Sequence, residues 1–259
     1  MKQRLRREWL GFKDALQSLD TQTAVVLTLY VVFVIAQFKL GSHDFFRARI
    51  TADAPEIVEW AWWFGAQGVT GFVLPAALLI LLFRRRWTEI GLSLGDWKTA
   101  GIIGLLFLPG ATIVTWVLSD GPAFQAQYPH LRAAVSNWEL FFLYHLLFLF
   151  YWIGWEYLWR GFMLFGTAQT LGYYAIFIQA IPFALLHLRK PFPELFLSIV
   201  GGLALGAVVW RCRSFWIAVP IHAAQMFLID FWCTLRLRSG ISGITPRDFI
   251  ALLEAWLSG

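Results

Sequence analysis

Residues 152–161 read Trp152-Ile153-Gly154-Trp155-Glu156-Tyr157-Leu158-Trp159-Arg160-Gly161, inside a nearly unbroken apolar run from 140 to 164. A carboxylate and a guanidinium four residues apart share one face of a helix. At membrane depth each charge costs roughly 2.5 to 3.5 kcal/mol on insertion scales, so such a pair reads first as a functional site. The plainer alternative is that Glu156 and Arg160 neutralise each other and pin two helices together. Two further polar residues in later apolar segments, His187 and His222, weigh against it.

Composition explains what surrounds that stretch. Of the 259 residues, 59% are hydrophobic and 14% are charged, and 15 are Trp. A soluble domain carries about 25% charged residues, so most of this chain must face lipid or other apolar helices. The expected class is all-α, a polytopic transmembrane helical bundle. The apolar segments are too long for the alternating strands of a membrane β-barrel. The net charge of +5 does not point to nucleic acid, because the basic residues gather at the ends of apolar segments, where they act as topology signals. Cys212 and Cys233 are expected at opposite ends of one helix, about 30 Å apart, too far to pair.

Residues 1–20 alternate Lys2, Arg4, Arg6 and Arg7 with Trp9, Leu10, Phe12 and Leu16, the pattern of an amphipathic interfacial segment. The transmembrane domain then runs from 21 to 233. Its spans are expected at 21–40, 60–83, 99–118, 138–168, 173–187, 194–210 and 214–233, with a kink at Pro109. The tail, 234–259, holds a short interfacial helix starting at Thr245 and Pro246. Seven to eight spans result. Arg84, Arg85 and Arg86 close the second span, and together with the basic N-terminus they predict a cytoplasmic N-terminus in a membrane of the bacterial inner type.

A hairpin about Gly172 puts Glu156, 16 residues before it, and His187, 15 after it, at one depth. By helical rise His222 lies roughly 10 Å nearer the cytoplasm, an offset that tilt and a kink at Pro220 are expected to absorb. A glutamate with two histidines can activate water, by general base catalysis or through a divalent metal such as zinc, with Glu156, His187 and His222 as the candidate ligands. His145 is about 16 Å from Glu156 along the axis, too far to share a substrate atom. Asp230 is expected in a buried pair or at the interface. Trp152, Trp155, Tyr157 and Trp159 read as packing and interface anchors.

These residues resemble the CPBP family of intramembrane proteases, the CAAX proteases and bacteriocin-processing enzymes. The family pattern is Glu-Glu-x-x-x-Arg, then Phe-x-x-x-His, then His-x-x-x-Asn or Asp. The matching stretches are Glu156 to Arg160, Phe183 to His187, and His222 to Met226, within a family-like core of about 84–233. Two positions depart: Trp155 replaces the first glutamate and Met226 the final Asn or Asp. The resemblance implies hydrolysis of a membrane-anchored peptide substrate at the bilayer. Glu156 would activate water, His187 assist it, His222 stabilise the oxyanion and Arg160 orient the carboxylate. Gln225 and Tyr157 are supporting candidates, Gln225 supplying the hydrogen bond that Met226 cannot. A catalytically silent partner or chaperone of membrane proteins is the main alternative, and a proton-coupled transporter is a further one.

Overall fold

The computed structural model describes residues 1–258, and they form a helical bundle. In chain order the helices are α1 (Lys2–Ser18), α2 (Thr21–Leu40), α3 (His43–Arg49), α4 (Glu56–Leu82), α5 (Trp97–Ser119), α6 (Pro122–Gln127), α7 (Trp138–Leu171), α8 (Tyr174–Leu185), α9 (Phe192–Cys212), α10 (Ala218–Ser239) and α11 (Pro246–Ser258). Among the described residues six of them, α2, α4, α5, α7, α9 and α10, are long and apolar enough to cross a membrane. The expected fifth span is the short helix α8. Its twelve residues rise about 18 Å, well under the ~30 Å of a hydrocarbon core. The protein is an integral membrane protein, and its outer faces carry the exposed apolar side chains lipid requires, among them Leu105, Leu106, Phe150 and Phe196.

Side-chain caps set several helix starts: Asp20, Asp96 and Asn137 each accept a backbone N–H from three residues on. Every residue of α1 is exposed and none packs into the bundle, in keeping with an amphipathic helix at a membrane interface. The main packing is α4 on α7, α5 on α10, and α8 on α9. At the α4–α7 crossing the backbones touch. A Cβ on Gly71 would strike the Gly154 carbonyl, and a Cβ on Gly154 would strike that of Gln67.

Arg85 and Arg211 tie elements together at one end of the bundle. There Arg85 reaches Gln22 and Gln169, and Arg211 reaches Asp96. At this end the chain between α9 and α10 folds inward. Arg213, in the left-handed conformation (φ 56°), ends α9, and Phe215 is wholly buried, its N–H donating to the Gly91 carbonyl at 3.0 Å. Asp96 N–H bonds Cys212 and Trp216 Nε1 bonds Leu92, each at 2.9 Å.

Two expectations are corrected here. Cys212 and Cys233 belong to different helices, α9 and α10, and both are buried and free. Pro220 lies in the first turn of α10, where its missing N–H had no helical partner to lose, so it is a helix-start residue and not the source of a kink.

Candidate active site

Glu156 ends the regular turns of α7, and Tyr157–Met163 follow as a π-helical stretch with every residue buried. Such widened turns concentrate at functional sites because they re-aim side chains without ending the helix. Glu156 and Arg160 are both fully buried. Arg160 Nη1 lies 3.1 Å from Glu156 Oε1 and 3.0 Å from Oε2. The guanidinium stacks 4.1 Å from the centre of the Phe183 ring on α8.

His222, in the second turn of α10, places Nδ1 2.6 Å from Glu156 Oε1, while its ring stacks on Trp152 at 4.2 Å. The depth offset expected from sequence is closed by the inward turn at 213–217, which starts α10 already inside the bundle. His187 follows the end of α8, and its Nδ1 lies 2.8 Å from the Phe183 carbonyl. A carbonyl only accepts, so Nδ1 carries the proton there. The Glu156 carboxylate assigns the His222 Nδ1 proton in the same way. When neutral, both rings keep Nε2 as a lone pair.

Two cavities meet at these histidines. The first, about 240 Å³, runs between α5 and α9 and is lined by Arg160, Phe183, His187, His222, Gln225 and Met226 together with apolar residues of both helices. The second, about 330 Å³, is walled by aromatic residues, Trp60, Tyr151, Trp152 and Trp155 among them. His187, Glu194, His222 and Met226 border both. Glu156 lines neither, so it meets a bound molecule only through its partners His222 and Arg160.

The other candidates from sequence fall as follows. Trp155, at the family's first glutamate position, faces the second cavity, its ring centre 6.4 Å from that of His187. Gln225 borders the first cavity but makes no hydrogen bond to His222 among the described residues; Glu156 takes that place. Tyr157 points away, packing on Phe72 and Phe215 at 5.1 and 5.0 Å. His145 and Asp230 form a separate buried pair at 3.4 Å. The proposed metal ligands do not converge: among the described residues no group of three or more His, Cys, Asp and Glu is arranged to hold an ion. With His222 Nδ1 directed at Glu156, the set does not fit a three-ligand site, and no step below is routed through a metal.

Sequence reasoning missed a polar cluster beside the histidines. Tyr128 Oη lies 2.7 Å from both Glu194 oxygens, and Lys190 Nζ donates to Tyr128 Oη at 2.7 Å. Lys190 also lies 3.2 Å from His130 Nε2. Burial holds Lys190 below the ordinary lysine value, with Glu194 opposing it, and drives Tyr128 well up. Burial, and then the Lys190 charge, hold His130 well below the histidine range, so its ring is neutral. The i,i+4 spacing of Lys190 and Glu194 just after His187 was the available signal.

Residues 137–228 match the family model described as type II CAAX prenyl endopeptidase Rce1-like. This stretch holds the three motifs that resemble the CPBP pattern, with the departures Trp155 and Met226. It spans α7 to the middle of α10, about a third of the chain, and contains Glu156, Arg160, His187 and His222. The likeness is to a family of prenyl endopeptidases and covers these residues alone. No curated protein and no solved structure matches the chain.

Proposed function

We propose that this protein is an intramembrane endopeptidase that cuts a membrane-anchored peptide, with a Glu156–His222 pair at its centre. One observation carries the reading: a wholly buried carboxylate bonded to both Arg160 and His222 Nδ1, with His222 bordering two cavities.

In this mechanism His222 Nε2 takes a proton from water as the oxygen attacks the scissile carbonyl. Glu156, paired with Arg160, stabilises the imidazolium and fixes its orientation. The Nε and Nη2 hydrogens of Arg160 have no partner, and Arg160 borders the first cavity. They would donate to the developing oxyanion. His187 Nε2 would accept the water's second hydrogen. His222 then protonates the leaving amine, and carboxylate and amine products result. These roles differ from those the family resemblance implies. His222 becomes the base and Glu156 its partner, because Glu156 has no direct access to either cavity.

The substrate that best fits the first cavity has an apolar or lipid-modified segment lying between α5 and α9. Glu156→Gln and His222→Ala are each expected to lower cleavage of an acylated peptide by about 10²–10⁴ in lipid nanodiscs, and His187→Ala by less. Full activity in the His222 variant would remove the mechanism. Trp155 at the family glutamate position favours a second reading, a catalytically silent partner of membrane proteins, and in that case wild type cuts nothing.

A further inference from the structure

A third cavity, about 150 Å³, lies away from the histidines and takes no part in the proposed reaction. It opens where the ends of four spans come together: Gln22 sits in the first turn of α2, Arg85 just past α4, Gln169 in the last turn of α7 and Arg213 at the end of α9. Span ends mark the depth at which a bilayer passes from hydrocarbon to headgroups. Leu81 and Leu82, shortly before Arg85, are exposed as lipid-facing residues are.

The polar lining is arranged by its own hydrogen bonds. Arg85 donates from Nε to Gln22 Oε1 at 2.6 Å and from Nη2 to Gln169 Oε1 at 2.5 Å. Both bonds fix the guanidinium plane, and they leave the Nη1 hydrogens and the Gln169 amide hydrogens without a partner among the described residues. The Arg213 guanidinium makes no hydrogen bond or ion pair among the described residues; it lies 5.6 Å from the centre of the Phe165 ring and 5.8 Å from that of Trp210. Its φ of 56° is one that Gly adopts freely and an L side chain does not, at the helix end where Gly is the usual residue. One acid faces these donors. Glu89 lines the same cavity, and the Arg86 N–H donates to its Oε2 at 2.7 Å, which holds the carboxyl below the ordinary carboxylate range. Glu89 Oε1 has no partner among the described residues. Asp20 lies outside the lining, engaged as the cap of α2.

Two guanidiniums and an amide with hydrogens to give, beside one ionised carboxylate, call for a ligand that carries both signs. The oxygens of a phosphate take several N–H donors from separate elements at once. An ammonium supplies the hydrogens that Glu89 accepts. A phosphate alone would meet the Glu89 charge, and an amine alone would leave both arginines unanswered.

We infer that this cavity binds a phosphate with an amine beside it, the pattern of a phosphoethanolamine group, with Arg85 and Arg213 on the phosphate and Glu89 on the ammonium. A group held there ties the ends of α2 and α7 to the turn at 213–217 from which α10 starts. The inference stands apart from the peptidase reading. The group comes either from an aminophospholipid of the bilayer or from a soluble phosphoester.

Binding to the full chain in a nonionic detergent tests it, with native mass spectrometry reading the bound fraction. The probes are short-chain phosphatidylethanolamine, short-chain phosphatidylglycerol and soluble glycerophosphoethanolamine. At least one ethanolamine compound is expected to bind about fivefold tighter than phosphatidylglycerol, the upper range for a partly exposed ion pair, and which one identifies the source. Glu89→Gln should remove that preference. Arg213→Gly suits the backbone and should weaken ethanolamine binding about tenfold. The same compound should raise the thermal midpoint of wild type and leave that of Arg213→Gly unmoved. Phosphatidylglycerol binding as tightly as both ethanolamine compounds overturns the inference, as does a preference that survives Glu89→Gln or binding that is unchanged in Arg213→Gly. Should Arg213→Gly fail to fold, Glu89→Gln carries the test.

Discussion

Arg160 and Arg236 are both arginines buried in the bundle, and they spend their hydrogens differently. Arg236 makes five hydrogen bonds for its five N–H groups, to Ser119, Asp120, Trp116, Ile241 and Gly243. It ties the end of α5 to the end of α10 and to the chain that leads into α11. Arg160 bonds Glu156 through Nη1 alone and leaves Nε and Nη2 without partners. A saturated arginine is a structural tie. One with donors in reserve beside a cavity is kept for a ligand, because the fold would otherwise satisfy them.

The largest effect should come from breaking the saturated member. Arg236→Met leaves Ser119 and Asp120 short of a donor and three backbone carbonyls without theirs, and is expected to cost about 3–5 kcal/mol of stability. Cleavage per folded molecule should stay unchanged; thermal unfolding and an activity assay on the folded fraction check both parts. Arg160→Met should do the opposite, lowering kcat by about 10²–10³ through loss of an oxyanion donor. If its activity loss merely tracks its unfolding, the contrast between the two arginines is wrong.

Gly154→Ala sharpens the comparison from the side of the scaffold. The new methyl meets the Gln67 backbone, so α4 and α7 must part, at about 1–3 kcal/mol, and Glu156 shifts with them. Activity should fall more than stability does. Asp96→Ala is the smallest change. The Thr99 hydroxyl and N–H, with Arg211 adding to them, hold the Asp96 carboxyl below the ordinary carboxylate range. Its contribution is thus present at neutral pH and is lost as pH falls through that lowered value. The variant should show a slightly lower thermal midpoint at pH 7 and a flatter dependence in acid.

Much of this was legible in the sequence. Helical spacing paired Glu156 with Arg160, and counting from Gly172 set His187 at the depth of Glu156. Both follow from a fixed rise per residue. The approach of His222 was not legible in the same way. It depends on the 213–217 turn folding inward onto Gly91 and Leu92, a tertiary contact no periodicity encodes. The π-helical stretch was equally silent, since its residues read as an ordinary apolar run. The polar cluster joins the loop residues Tyr128 and His130 to Lys190 and Glu194 some sixty positions later, and only the folded chain makes them neighbours.

The glycine crossing between α4 and α7 also fixes which part of the molecule can move. Gly71 and Gly154 bring two backbones into direct contact only two residues from Glu156, so that wall has no side-chain layer to yield. Across the first cavity, α9 turns Ser198, Gly202 and Gly206 inward and exposes Phe196, Ile199 and Val200. The small residues seat α9 closely on α8, where Gly202 meets Phe183 and Gly206 meets Gln179, while α9 meets α5 only lightly. The arrangement is that of an anvil and a jaw: the charged groups are held by a rigid wall, and for the proposed peptidase the way in from the bilayer would be the lightly packed seam between α5 and the α8–α9 pair.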